Sequence, residues 1–137
     1  MKILSTVLLI AVMFISNKIS AQERTITATV VNVTSNEGKV SYALYDKDSF
    51  MKKPIQAKTS KISEGKSIVV FKNIPAGEYA IICFHDKNNN NKMDFQPNGM
   101  PMEDFGSSNN VMVMGPPQYE SSKFAVTDKD VSLEIKF

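Results

Sequence analysis

Potential oxygen ligands recur at every second position of one polar loop, between residues 86 and 94. The oxygen donors, in chain order, are Asp86, Asn88, Asn90, the backbone carbonyl of Lys92, and Asp94. A tightly coiled loop turns alternate residues toward one centre, and Ca²⁺ prefers six to eight carboxylate and carbonyl oxygens. The spacing therefore predicts a calcium-binding loop.

The loop departs from a helical calcium loop at two positions. Asn91 stands where such loops place Gly, although Asn tolerates a left-handed backbone better than other residues do. Pro97 stands where a bidentate Glu is expected, so a turn at residues 97–99 would have to bring back Glu103 or Asp104. The alternative is a turn that binds no metal, because Asn is favoured in tight turns for its own sake.

Strands are the elements that must position this loop. Five segments are rich in apolar or β-branched residues and are bounded by turn residues: 25–33, 39–46, 67–74, 77–86 and 131–137. Residues 77–86 are apolar on both faces, which predicts a central strand leading into the loop. The turn at residues 35–38 predicts a hairpin between the first two strands, and the last segment predicts a half-buried antiparallel strand.

Strands at this spacing predict an all-β fold, an antiparallel, immunoglobulin-like β-sandwich of about seven strands. Residues 50–64 predict a turn or a single helical turn, and residues 86–122 predict one long irregular segment. Loops of that length in a compact domain are usually functional or disordered. We therefore expect a single domain over residues 22–137 with its chemistry in the long loop.

The first 21 residues predict a secretory signal peptide. Lys2 precedes a mostly apolar run at residues 3–15, and the small residue Ala21 precedes the expected cleavage point. The run is shorter than the ~20 apolar residues of a membrane-spanning helix, although an uncleaved anchor is the alternative. We expect a periplasmic or secreted protein without a transmembrane segment after cleavage.

Net charge excludes some classes of partner. The chain has 16 Lys and Arg against 14 Asp and Glu, and cleavage would remove Lys2 and Lys18, leaving equal numbers. A neutral domain lacks the concentrated positive charge with which proteins bind nucleic acid or anionic membranes. The partner stays unknown, with an envelope protein or a polysaccharide as the candidates. Cys83 is the only cysteine, so no intrachain disulfide can form, and its apolar surroundings predict a buried thiol.

The sequence offers no catalytic constellation, so we predict a protein that is not an enzyme. His85 is the only histidine, and on a strand it would point away from its neighbour Asp86. One alternative left open is an envelope hydrolase that uses His85 with Asp86 or Glu103. Another is a small-ligand carrier whose cleft is lined by aromatic residues, although core packing is the better default for them: Tyr42, Tyr45, Phe50 and Tyr79.

Several motifs resemble a bacterial family, the domain of unknown function number 2141. They are GKVSYALYDKDSF, FKNIPAGEYAIICFHDKNNNNKMD, GMPMEDFGSSNN and GPPQYESSKFAV, in that order. The chain departs from the family pattern at Asn91, where Gly is usual, and at Ser107, where Phe is usual. The resemblance implies an exported β-sandwich and no particular activity. The turn and strand at residues 74–79 are also similar to those of transthyretin-like modules, which makes a transthyretin-like sandwich the second architecture to consider.

Overall fold

The computed structural model describes residues 22–137, so the predicted signal peptide at residues 1–21 lies outside the described residues. Eight strands and two short helical turns follow one another along the chain. They are β1 (Arg24–Val30), β2 (Lys39–Tyr45), β3 (Gln56–Ser60), β4 (Ser67–Ile74), β5 (Gly77–Asp86), β6 (Phe105–Ser107), a 3-10 turn (Ser108–Asn110), α1 (Tyr119–Ser122), β7 (Phe124–Val126) and β8 (Val131–Ile135). Within residues 22–137, neither helical element is long and apolar enough to cross a membrane.

The strands form two sheets, which confirms the predicted all-β sandwich. One sheet has the order β4-β1-β8, and the other has the order β3-β2-β5-β6, with β7 pairing with the first residues of β5. All five segments predicted from the sequence form strands. The remaining strands, β3, β6 and β7, are short, and two of them lie in segments that the sequence predicted to be turn or loop.

The core lies between the sheets and contains the alternate residues of each strand, because successive side chains of a strand point to opposite faces. Its buried side chains include Ile26, Ala28, Val30, Val40, Tyr42, Leu44, Val69, Phe71, Ile81 and Cys83. β5 has strand partners over its whole length, as expected of a central strand. Burial raises the pKa of the Cys83 thiol, as expected for a thiol among core residues.

Two predictions of strand pairing were wrong. β1 and β2 do not form a hairpin: β1 pairs with β4, whereas β2 pairs with β3 and β5 in the other sheet. β8 was expected to be antiparallel, but it runs parallel to β1. Both errors have the same physical reason. Alternation of apolar residues specifies the face that a strand buries, and it does not specify the sheet, partner or direction that satisfies this burial.

Candidate metal site

The polar loop begins at the end of β5, where Asp86 is fully buried and caps the first coil of the loop. Its Oδ1 accepts the backbone N–H of Asn90 at 3.1 Å, and its Oδ2 accepts that of Asn91 at 2.9 Å. Asn89 and Asn91 have left-handed backbones, with φ of 55° and 64°. The left-handed conformation predicted at Asn91 is therefore confirmed, and it lets the chain coil around the carboxylate.

Asp94 lies at the point where the predicted side-chain ligands converge. The amide of Asn88 donates to Asp94 Oδ2 at 2.8 Å. The amide of Asn90 donates to both Asp94 oxygens, at 2.9 and 2.8 Å. Rotating an Asn side-chain amide by half a turn about its Cβ–Cγ bond exchanges the positions of its nitrogen and its oxygen. The same three side chains can therefore present either donors to the Asp94 carboxylate or oxygens to a cation beside it.

Lys92 continues the coil between these residues. Its backbone N–H donates to Asn90 Oδ1 at 3.1 Å, while its side chain is exposed to solvent. Its carbonyl is the predicted oxygen donor at this position.

The chain after Asp94 folds back and delivers a second carboxylate. The N–H of Gly99 donates to the carbonyl of Gln96 at 2.8 Å, and that of Met102 donates to the carbonyl of Asp94 at 2.8 Å. The next residue, Glu103, is 8% exposed, and its Oε2 accepts the backbone N–H of Asp94 at 3.4 Å. The fold-back predicted through residues 97–99 thus brings Glu103 to the loop.

Asp104, the other carboxylate considered from the sequence, faces away from the loop coil. Its Oδ2 accepts the hydroxyl of Thr34 at 3.2 Å and lies 4.0 Å from Lys87 Nζ. The two neighbouring carboxylates have different partners, since Glu103 accepts the N–H of Asp94 whereas Asp104 contacts Thr34 and Lys87. Glu103 is therefore the residue that can contribute to a cation site here.

Carboxylates alone do not make a metal centre in this loop. Among the described residues, no three His, Cys, Asp or Glu side chains are grouped so that they could hold a metal ion by themselves. A cation in the loop would need the amide oxygens of Asn88 and Asn90 and a backbone carbonyl in addition to carboxylates. Neutral oxygens combined with a few carboxylates are a ligand set that suits Ca²⁺.

Sequence reasoning missed the segment that supports the base of the loop, residues 37–39. The carbonyl of Glu37 lies 2.7 Å from His85 Nε2. Gly38 has φ of 72°, and a Cβ there would lie 2.1 Å from the backbone oxygen of Asp86. Lys39 Nζ lies 3.8 Å from Asp86 Oδ2 and donates to Asn91 Oδ1. Only Gly38 carried a sequence signal, since a turn glycine often marks a positive φ or a close approach.

The geometry around His85 does not favour the hydrolase alternative. The ring is fully buried, and its Nε2 donates to the Glu37 carbonyl, which can only accept. Nδ1 has no hydrogen-bond partner within the described part of the chain. The backbone N–H of His85 donates to the carbonyl of Asp104 at 2.8 Å, which ties β5 to the fold-back. His85 is thus a packed residue beneath the loop.

The aromatic residues considered for a carrier cleft are packed against their neighbours. Tyr42 is 1% exposed in the core, and its hydroxyl donates to the carbonyl of Ser67 at 3.0 Å. Tyr45 and Phe50 make an edge-to-face contact with ring centroids 5.5 Å apart. Tyr79 borders a surface pocket beside Pro75, and the other three do not. Core packing, the default expected for these residues, is what the structure shows for Tyr42.

These observations define the class of protein: a β-sandwich domain with an oxygen-lined loop at the end of its central strand. The sequence profile of a family described as "Uncharacterized protein conserved in bacteria (DUF2141)" matches residues 28–134. The chain therefore belongs to this family, as the motifs indicated. No curated protein and no solved structure matches the chain.

Proposed function

We propose that this protein is an exported, non-catalytic β-sandwich module whose long loop binds Ca²⁺. The observation that carries the proposal is the convergence of Asn88 and Asn90 on the Asp94 carboxylate, next to a coil capped by Asp86. The oxygens available to the ion are those of Asp86, Asn88, Asn90, the Lys92 carbonyl, Asp94 and Glu103. Ca²⁺ is favoured over Mg²⁺ because it accepts a larger and less regular set of oxygens.

Export is supported by the predicted signal peptide at residues 1–21. We place the protein in the periplasm or outside the cell, in a binding or envelope-associated role. Its partner would be an envelope protein or a polysaccharide. A non-catalytic role is supported by the burial of His85 and by the engagement of its Nε2 with a backbone carbonyl.

Calcium would stabilise the folded domain because the ligands converge only when β5 and the fold-back are in place. Extracellular calcium modules bind with dissociation constants of about 10⁻⁴ to 10⁻³ M. With a dissociation constant of about 0.5 mM, about 5 mM CaCl₂ would add about 1.4 kcal/mol to the free energy of unfolding. For a domain of this size that corresponds to an increase in Tm of about 5 °C.

The test is thermal unfolding of residues 22–137 in EDTA and in CaCl₂, for wild type, Asp94→Asn and Asp104→Asn. The two variants make the same chemical change in the same loop, but only Asp94 contacts the Asn amides. We expect calcium to raise the Tm of wild type and Asp104→Asn, and to leave that of Asp94→Asn unchanged. A wild-type Tm that does not respond to calcium, or an equal response in Asp94→Asn, would contradict the proposal.

A further inference from the structure

We propose that Lys39 is a specificity-determining residue of the calcium loop. The ammonium group of Lys39 sets both the affinity of the site and its preference for divalent over trivalent cations. The inference rests on the proposed calcium site and deepens it. Lys39 is not one of the alternate oxygen donors at residues 86–94, and it reaches the loop from β2, the strand next to β5.

Lys39 and Asp86 form a directly opposed pair on neighbouring strands. Lys39 is the first residue of β2, and its Cα is in register with that of Asp86, the last residue of β5. Its Nζ lies 3.8 Å from Asp86 Oδ2, with the Lys39 side chain 23% exposed and that of Asp86 fully buried. The ammonium also donates to Asn91 Oδ1, so it contacts two oxygens of the coil.

The position of Lys39 is fixed by the residues before it. Gly38 allows β2 to approach so closely that a Cβ would lie 2.1 Å from the Asp86 carbonyl oxygen and 2.8 Å from Lys87 Cα. The carbonyl of Glu37 is held by His85 Nε2 at 2.7 Å. The backbone of residues 37–39 is therefore docked against the base of the loop, and the Lys39 side chain extends over the coil from there.

The charge of Lys39 offsets one of the three carboxylates near the coil: Asp86, Asp94 and Glu103. The three carboxylates and the Lys39 ammonium together have a formal charge of −2, which matches one divalent ion. Lys39 Nζ lies 3.8 Å from Asp86 Oδ2, and an ion bound to that oxygen at about 2.4 Å would be about 6 Å from the ammonium. With the dielectric constant of water, repulsion at about 6 Å weakens binding of a divalent ion about tenfold and that of a trivalent ion about 30-fold, because repulsion scales with ionic charge. Removing the ammonium should therefore tighten binding of both ions, and of the trivalent ion more.

The experiment measures calcium and terbium affinity in wild type, Lys39→Gln, Lys39→Arg and Lys87→Gln, each as residues 22–137. Lys87→Gln is the matched control, because Lys87 is next to Asp86 in sequence but its Nζ lies 4.0 Å from Asp104. We expect Lys39→Gln to lower the dissociation constant about tenfold for Ca²⁺ and about 30-fold for Tb³⁺. Lys39→Arg and Lys87→Gln should stay within about twofold of wild type, since one keeps the charge and the other removes a solvent-exposed charge that pairs with Asp104.

The outcomes separate this inference from the calcium proposal. Wild-type calcium binding with equal or weaker binding in Lys39→Gln would overturn the role of Lys39 alone. Equal gains for Ca²⁺ and Tb³⁺ would also overturn it, because they indicate a change in loop shape rather than in charge. Absence of binding in all four proteins would overturn the calcium site and this inference together. If Lys39→Gln does not fold, Lys39→Met, which keeps the aliphatic stem, is measured in its place.

Discussion

Gly38→Ala tests the contact between residues 37–39 and the base of the loop. Gly38 combines a left-handed backbone, φ of 72°, with a close approach to β5. An added Cβ would lie 2.1 Å from the Asp86 carbonyl oxygen and 2.8 Å from two backbone atoms of Lys87. These neighbours are backbone atoms, so they cannot rotate out of the way as a flexible side chain would.

The cost of this substitution has two parts. A left-handed backbone costs an alanine about 1 kcal/mol. Relieving a contact this short requires the two strands to separate locally, and overpacking of this kind costs about 1–3 kcal/mol. The free energy of unfolding should therefore fall by about 2–4 kcal/mol, which for a domain of this size lowers the Tm by about 8–16 °C.

Gly99→Ala is the matched control, because it makes the same substitution at another glycine with a left-handed backbone. Gly99 has φ of 85°, and a Cβ there meets nothing within 4 Å. Only the backbone cost of about 1 kcal/mol should remain. Urea unfolding at equilibrium measures both variants on one scale. If Gly38→Ala is no more destabilising than Gly99→Ala, residues 37–39 do not press against β5 and the account of the loop base is wrong.

Two further predictions concern other parts of the domain. Gly106→Ala should lower the free energy of unfolding by about 1–3 kcal/mol, because the added Cβ would lie 2.7 Å from the carbonyl oxygen of Lys136. A change below about 0.5 kcal/mol in urea unfolding would contradict this prediction. The backbone N–H of Ser49 donates to Asp46 Oδ1 at 2.8 Å and lowers the pKa of Asp46. The charged carboxylate therefore stabilises the fold at pH values above its unfolded-state pKa. This contribution is lost as the pH falls through the folded-state pKa. Asp46→Asn should therefore be less stable than wild type near pH 7, and this difference should shrink as the pH is lowered below the ordinary aspartate pKa. A difference in urea unfolding that does not vary with pH would refute the reasoning.

The strands and the loop could be predicted from the sequence because each depends on local pattern. Apolar residues on both faces of residues 77–86 indicated the central strand, and the structure has β5 there. The left-handed conformation of Asn91 followed from its position in the coil. The turn residues and the missing carboxylate predicted the return of Glu103 or Asp104, and the structure brings Glu103 to Asp94.

Strand partners and the support of the loop could not be predicted, because both depend on contacts between distant segments. The same alternation suits β1 whether it pairs with β2 or packs against it from another sheet. The parallel direction of β8 depends on where the chain enters the sheet. Lys39 became part of the site only through its register with Asp86, and a single sequence does not contain that register.

Calcium binding is tested most directly by following the backbone amide NMR signals of EDTA-treated residues 22–137 during a CaCl₂ titration. We expect one saturable transition with a dissociation constant of about 10⁻⁴ to 10⁻³ M. The affected signals should be those of residues 86–104 and of Lys39, with Asp94→Asn showing no transition. Signals that do not shift by about 10 mM CaCl₂, or that shift equally in Asp94→Asn, would contradict the central claim.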